Sequence, residues 1–239
     1  MNIVEKIIKK QQNLKGVPSI TIAFIGDSVT QGCFECYTTS ETSLETVFDY
    51  KSAYSTRLKE LLNLLYPKVQ FNIINSGISG DNAASGLSRL QRDVISYNPD
   101  LCVVSFGLND SCVNTIEQYS NSLKGIFSQL KENDIETIFL TQNAMNTKTS
   151  CHLKDKLFKD LSVNFAKIQN EGKLKEYFSA AKKVALENNV KVCDLYPVWE
   201  KMIESGVDTT ELLSNKLNHP IREFHYYIAI KLLEIILEI

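Results

Sequence analysis

The sequence predicts a mixed α/β fold built on a parallel sheet with helices on both faces. Three observations carry that expectation. Five short apolar runs alternate with segments of helical periodicity along the 239 residues. The first of them, through Ile22, Ala23, Phe24 and Ile25, is unbroken, as in a strand buried on both faces. Three of the five end in a Gly-rich or polar motif: Gly26-Asp27-Ser28, Ser79-Gly80-Asp81 and Gly107-Leu108-Asn109-Asp110. A parallel sheet brings such ends to one edge, where ligands bind in open α/β folds.

The elements follow in order. Within Met1–Lys15, Ile3, Val4, Ile7 and Ile8 stand at helical spacing among lysines. The first strand breaks at Gly26 and places Ser28 on the turn that follows. Glu35 to Tyr50 is rich in threonine, serine and acids and reads as a polar loop, one wall of a cleft. Ala53 to Tyr66 is helical, with Tyr54, Leu58, Leu61, Leu62 and Leu65 on one face, and Pro67 stops it. Val69–Ile74 is the second strand and Gly86–Tyr97 the next helix. Asn98-Pro99-Asp100 turns the chain into the third strand, Leu101–Phe106. Tyr119–Leu130 is helical, Glu136–Thr141 the fourth strand and Asn143–Cys151 a polar loop. Leu153–Asn188 is helical with a break near Gly172, longer than a crossover needs, and so a candidate wall or lid. Val190–Leu195 is the fifth strand. Pro197 and Trp199 open a short helix ending near Gly206, and Glu211–His219 is a loop or short helix. Pro220–Glu238 is a final amphipathic helix with Phe224, Tyr227, Ile228, Leu232, Ile235 and Ile236 inward. No linker, repeat or low-complexity stretch divides the chain, so residues 1–239 are expected to form a single domain.

Composition narrows the function classes. Apolar content of 44% and charged content of 23% are ordinary for a soluble globular protein. A net charge of −2 without a basic cluster argues against nucleic acid as a partner. Lys231, Glu234 and Glu238 punctuate the C-terminal apolar stretch, so it is not a membrane span. The N-terminal segment has neither the continuous apolar core nor the cleavage site of a signal peptide, and a cytoplasmic protein is expected. Of six cysteines, Cys102 and Cys193 fall in strand-like runs and read as buried thiols. Cys33-Phe34-Glu35-Cys36 is a lone Cys-x-x-Cys after a strand, the position of a thioredoxin-like redox pair, and no second pair completes a zinc site.

The polar strand ends combine a serine, a glycine N–H and an asparagine amide, a nucleophile with donors for a developing negative charge. The nucleophile needs a base, and there are three histidines. His219 in Asn218-His219-Pro220 precedes the last helix, whose positive dipole end helps keep the ring neutral. His225 falls inside that helix as a packed or surface residue, and His152 in the polar loop reads as solvated. Asp27, Asp81 and Asp110 read as helix caps and loop braces. The Gly-x-Ser-x-Gly elbow is absent because Thr30 occupies the second glycine's place. A Gly-x-Gly-x-x-Gly fingerprint, a phosphate loop and a metal cluster with ligand spacing are also absent, so no cofactor or metal is expected.

Four blocks in this order resemble the GDSL-type, or SGNH, hydrolase superfamily, from Ile22 to the end of the chain. They are Ser28 in Gly26-Asp27-Ser28, Gly80 in Ile78-Ser79-Gly80-Asp81, Asn109 in Gly107-Leu108-Asn109-Asp110 and His219 in Asn218-His219-Pro220. The resemblance implies a flavodoxin-like three-layer α/β/α sandwich with a five-stranded parallel sheet of order 2-1-3-4-5. It also implies a metal-free serine esterase, acetylesterase, lipase or thioesterase, with the N–H groups of Ser28 and Gly80 and the Asn109 amide as oxyanion hole. In that family an aspartate usually stands three residues before the histidine. Here Lys216 stands there. The orienting group is then expected to be a looped-in Asp208, next Asn215, next a backbone carbonyl serving a Ser–His dyad. The polar loops favour a small-molecule ester, a small acyl group such as acetyl, on a polar carrier such as a sugar. A lysophospholipid or thioester substrate, a ligand-binding member with weakened turnover, and the redox pair stay open as alternatives.

Overall fold

In a computed structural model, which describes residues 2–40 and 43–239, the sheet is parallel and its strands are those of the five apolar runs. Residue 1, in the N-terminal helical segment, and residues 41 and 42, in the stretch read as a polar loop, lie outside the described residues. The chain runs α1 (Ile3–Gln12), β1 (Ile20–Gly26), α2 (Ser28–Gln31), β2 (Cys33–Thr38), β3 (Leu44–Phe48), α3 (Tyr54–Leu65), β4 (Phe71–Gly77) and α4 (Ala83–Asp93). It continues with β5 (Leu101–Ser105), α5 (Asp110–Val113), α6 (Ile116–Glu132), β6 (Glu136–Leu140), α7 (Lys156–Asn170), α8 (Lys173–Glu187), β7 (Lys191–Cys193), α9 (Tyr196–Glu204) and α10 (Arg222–Leu237).

The large sheet has the order β4-β1-β5-β6-β7, the 2-1-3-4-5 arrangement when only its own strands are counted. The chain leaves β1 for β4 on one side and returns to β5 on the other. The crevice that such a reversal opens lies at the carboxyl end of β1. Gly26 there is level with Gly77 of β4 and Ser105 of β5, so three polar strand ends meet at one height. Every residue of β5 is buried because helices cover both sides. One apolar layer gathers Ile7 of α1, Leu58 and Leu62 of α3, Trp199 of α9 and Leu232 of α10 against Ile22, Phe24 and Val103. The opposite layer packs Leu90, Leu123, Phe127 and Ala181 against Ala23, Ile25 and Val104. Alternate residues of β1 and β5 thus feed opposite layers, as the two-residue period of a strand requires.

Several bounds differ from the sequence reading; the last helix, for one, begins at Arg222 rather than Pro220. Helix α4 begins before Gly86, because the Asn82 side chain accepts from the N–H groups of Ala84 and Ser85 and caps it. The stretch read as a loop from Glu35 to Tyr50 contains an antiparallel hairpin, β2 with β3, with a register irregularity between Cys33 and Cys36. Alternation through Phe34, Cys36 and Thr38, and through Leu44, Thr46 and Phe48, fits strands, but the polar content masks it. The long helical stretch breaks where expected, at Gly172, which takes φ +79° between α7 and α8. Among the described residues, no helix is long and apolar enough to cross a membrane.

Candidate active site

The turn after β1 is built to hold a side chain at the crevice. Asp27 caps α2, its carboxylate accepting from Val29 N–H at 3.0 Å. Gly26 is required by close approach, since a Cβ there would lie 2.1 Å from Thr30 Oγ1 and 2.5 Å from the Ser105 carbonyl. With Gly26 bare, α2 folds tightly over the strand ends. Ser28 then stands at the floor of a cleft of about 210 Å³ shared with Gly80, Asn109 and His219.

The second block is a tight turn. Asp81 N–H donates to the Ile78 carbonyl at 3.1 Å, and Ile78 N–H to the Gly26 carbonyl at 3.0 Å. Gly80 is the third residue of that turn, with φ +79° and open space beyond its α-carbon. A type II turn needs such a φ there, which favours glycine. The turn is stapled from below by Arg89 of α4. Its guanidinium pairs with Asp81 at 2.6 Å and donates to the carbonyls of Ser76 and Gly26 at 2.7 and 3.1 Å. From the third block, Asn109 Nδ2 donates to the Asp81 carbonyl at 2.7 Å. An amide has two N–H donors, and this bond fixes one of them while the residue borders the cleft.

The fourth block completes the set. His219 Nε2 lies 2.9 Å from Ser28 Oγ across 191 residues of sequence. Its Nδ1 lies 2.9 Å from the Phe34 carbonyl oxygen. A carbonyl only accepts, so Nδ1 carries the proton and Nε2 presents a lone pair to the hydroxyl. Both side chains are buried, with Ser28 4% and His219 5% exposed. Burial pushes the imidazole down to about 4, against the opposing effects of the Phe34 carbonyl and the Glu35 charge. The ring is therefore neutral and able to accept a proton at ordinary pH.

The residues considered as orienting groups are placed differently. Asp208 is not brought to the imidazole. Its carboxylate pairs with Lys148 Nζ at 2.6 Å near the surface. Asn215 is buried beside the histidine, but its Oδ1 accepts from the N–H groups of Leu217, Asn218 and His219 at 2.9–3.0 Å. It therefore shapes the His219 loop, while the backbone carbonyl of Phe34 occupies the orienting position. His225 is buried, accepts from Tyr54 N–H at 3.2 Å through Nδ1, and is pushed down to about 3 by burial. His152 is exposed, 3.8 Å from Glu211.

Asp27 and Asp110 are braces. Asp110 accepts from Ala83 N–H and Asn114 Nδ2, at 3.1 and 2.9 Å, and burial raises its carboxyl to about 6. Burial raises Asp27 to about 7, against hydrogen bonds from Gln142 and Val29 that favour its charged form. Cys33 and Cys36 sit on β2 as free thiols, and burial pushes Cys33 up to about 12. A redox pair works through a thiolate of lowered pKa, so this environment opposes that role. Sequence reasoning missed Phe34, Arg89 and Gln142. Gln142 had a signal: it follows the fourth strand at the same edge as the other motifs.

The cleft has two characters. Ser79, Asn215 and Asn218 line it with polar groups, while Phe158, Leu161 and Phe165 of α7 give it an apolar flank. The stretch read as a candidate wall is therefore a wall.

Comparisons with known proteins identify the family and the fold. The model of the GDSL-like lipase/acylhydrolase family matches residues 24–225. An acetylxylan esterase of Geobacillus stearothermophilus is 32% identical over 89 residues, 37% of this chain and 39% of that protein. The matched segment thus spans well under half of that relative. Among solved structures, a catalytic mutant of Axe2, an acetylxylan esterase from the same organism, aligns with a TM-score of 0.68 at 19% identity, over 91% of this chain and 94% of that one. A two-domain esterase active on acetylated mannans aligns with a TM-score of 0.65 at 16% identity, over 99% of this chain and 53% of that one. At such identities the structural matches establish a shared fold.

Proposed function

The chain belongs to the GDSL-like lipase/acylhydrolase family, and from that premise we propose that it hydrolyses a small acyl ester, an acetyl group on a carbohydrate, through an acyl-enzyme on Ser28. The observation that carries this reading is the hydroxyl–imidazole contact of 2.9 Å, with the far ring nitrogen committed to a carbonyl. His219 takes the Ser28 proton as Oγ attacks the ester carbonyl, which is general-base help of roughly 10²–10⁴-fold. The N–H groups of Ser28 and Gly80 and the Asn109 amide hold the oxyanion. His219 then returns the proton to the leaving sugar hydroxyl as the ester C–O bond breaks. Water, deprotonated by the same ring, attacks the acyl carbonyl; the acyl–Oγ bond breaks, the ring returns the proton to Ser28 Oγ, and the acid is released.

The acetyl and carbohydrate parts rest on relatives described as acetylxylan esterases and as an esterase active on acetylated mannans, and on the polar lining of Ser79, Asn215 and Asn218. The reading treats residues 1–239 as one catalytic domain, since its four blocks draw on three neighbouring strands and the segment before α10. It includes a cytoplasmic site of action, supported by six cysteines that are all free thiols. The apolar flank of Phe158, Leu161 and Phe165 favours a second reading, an acyl group longer than acetyl.

A fluorophosphonate probe tests the nucleophile. It should label the wild type and leave Ser28→Ala unlabelled; an unlabelled, folded wild type would refute the hydrolase reading. Acetate release from acetylated xylo-oligosaccharides, set beside a chain-length series of nitrophenyl esters, separates the two acyl readings.

A further inference from the structure

We propose that Arg222 is a positioning residue for the His219 imidazole, acting by clamping the Phe34–Glu35 peptide whose carbonyl accepts the Nδ1–H hydrogen bond. The proposal rests on the hydrolase reading and deepens it. In a triad, a carboxylate orients the imidazole and can adjust through its own side-chain torsions. A main-chain carbonyl has no such freedom, and its aim is set by the plane of its peptide. Something must therefore hold that plane on β2, a strand of a small hairpin outside the large sheet.

Arg222 grips the peptide from both sides. Its Nη1 and Nη2 donate to the two carboxylate oxygens of Glu35 at 2.6 and 3.0 Å, the bidentate fork that gives guanidinium–carboxylate pairs their directionality. Its guanidinium carbon lies 4.3 Å from the centroid of the Phe34 ring. Its Nε donates to Asp49 Oδ2 at 2.9 Å, and Asp49 N–H in turn donates to the Gly32 carbonyl at 2.9 Å, which ties down the base of the hairpin. Arg222 stands three residues after His219. One short segment thus carries both the imidazole and the clamp on its acceptor.

An exposed ion pair by itself contributes little, typically about 0–1 kcal/mol. This pair differs because both residues of the gripped peptide are engaged and a second carboxylate anchors the same guanidinium. Arg222 holds the carboxyls of Glu35 and Asp49 below their usual range, so the network stays charged at working pH. One guanidinium between two carboxylates leaves a negative charge over, which favours the imidazolium that forms during the reaction.

The test compares Arg222→Met, Arg222→Lys and Glu35→Gln with wild type on nitrophenyl acetate, beside Ser28→Ala. It also follows the downfield proton NMR signal of His219 Nδ1–H. Arg222→Met is expected to lower kcat by about 10–100-fold, the scale of a misplaced catalytic group, with KM within about twofold. Its Nδ1–H signal should shift or broaden, and Arg222→Lys should recover part of the rate. If Arg222→Met does not fold by circular dichroism, Glu35→Gln and Asp49→Asn carry the same test, since they leave the arginine stacked on Phe34. Variants that keep wild-type kcat beside an inactive Ser28→Ala overturn the clamp alone. A loss of kcat with the Nδ1–H signal unmoved also overturns it, as a merely structural role. An active Ser28→Ala overturns the hydrolase reading and the clamp with it.

Discussion

Gln142 Nε2 donates to Asp27 Oδ2 at 2.8 Å, joining the loop after β6 to the residue before the candidate nucleophile. The same amide accepts the Leu108 N–H at 3.0 Å through Oε1. One side chain thus ties together three strand ends, and all its partners are buried. Gln142→Leu keeps the volume and orphans both. Each orphaned buried group costs about 1–3 kcal/mol, so a loss of about 2–6 kcal/mol is expected in urea denaturation. A loss below about 1 kcal/mol would mean that water replaces the amide.

Asn109→Ala tests the third oxyanion donor. Its amide is aimed by the Asp81 carbonyl, which Arg89 holds through the Asp81 side chain. Loss of one such donor lowers kcat by about 10²–10³ while ground-state binding changes little. Steady-state kinetics on nitrophenyl acetate should therefore show the fall in kcat at near-constant KM. A change below about fivefold would remove Asn109 from the hole.

Much of this site was legible because its parts are local. Ser28, Gly80 and Asn109 each follow an apolar run that reads as a strand, and a parallel sheet must bring such ends to one edge. His219 declared itself as the histidine that shortly precedes the last helix. The rest is tertiary. The Phe34 carbonyl has no side-chain signature, since every residue carries the same backbone acceptor. Arg89 and Arg222 read as ordinary polar positions of amphipathic helices, and only the folded chain shows what each grips. The hairpin was hidden because threonine, serine and acids between Glu35 and Tyr50 resemble loop composition, although the residues alternate as strands do.

Asp208→Ala should leave turnover unchanged, within about twofold. The carboxylate is engaged by Lys148 at 2.6 Å and is 39% exposed, whereas the imidazole already donates to Phe34. A pair that open to solvent contributes little to stability as well. The measurement is kcat on the same ester. A tenfold loss would show that the loop carrying Asp208 reaches His219 during turnover.

The pH profile tests the imidazole itself. Only the neutral ring accepts the Ser28 proton, and burial lowers the ring to about 4. The acid limb of kcat/KM, which reports the free enzyme, is therefore expected near pH 4, well below the 6.5 of an ordinary histidine. Unfolding could imitate that limb, so the signs of the stability terms matter. His219 and His225 are neutral in the fold and lowered from 6.5 to about 4 and about 3; their contribution is present above pH 6.5 and is lost as pH falls through that window. Asp27 and Asp110 act oppositely. Raised from 3.8 to about 7 and about 6, they contribute stability at low pH that is lost as pH rises. Between about pH 4 and 6 the two pairs offset one another, and the fold should persist while the imidazole titrates. Circular dichroism at each pH separates the two events. An acid limb near 6.5 in folded protein would place His219 in contact with water rather than in the buried contact with Ser28 and Phe34.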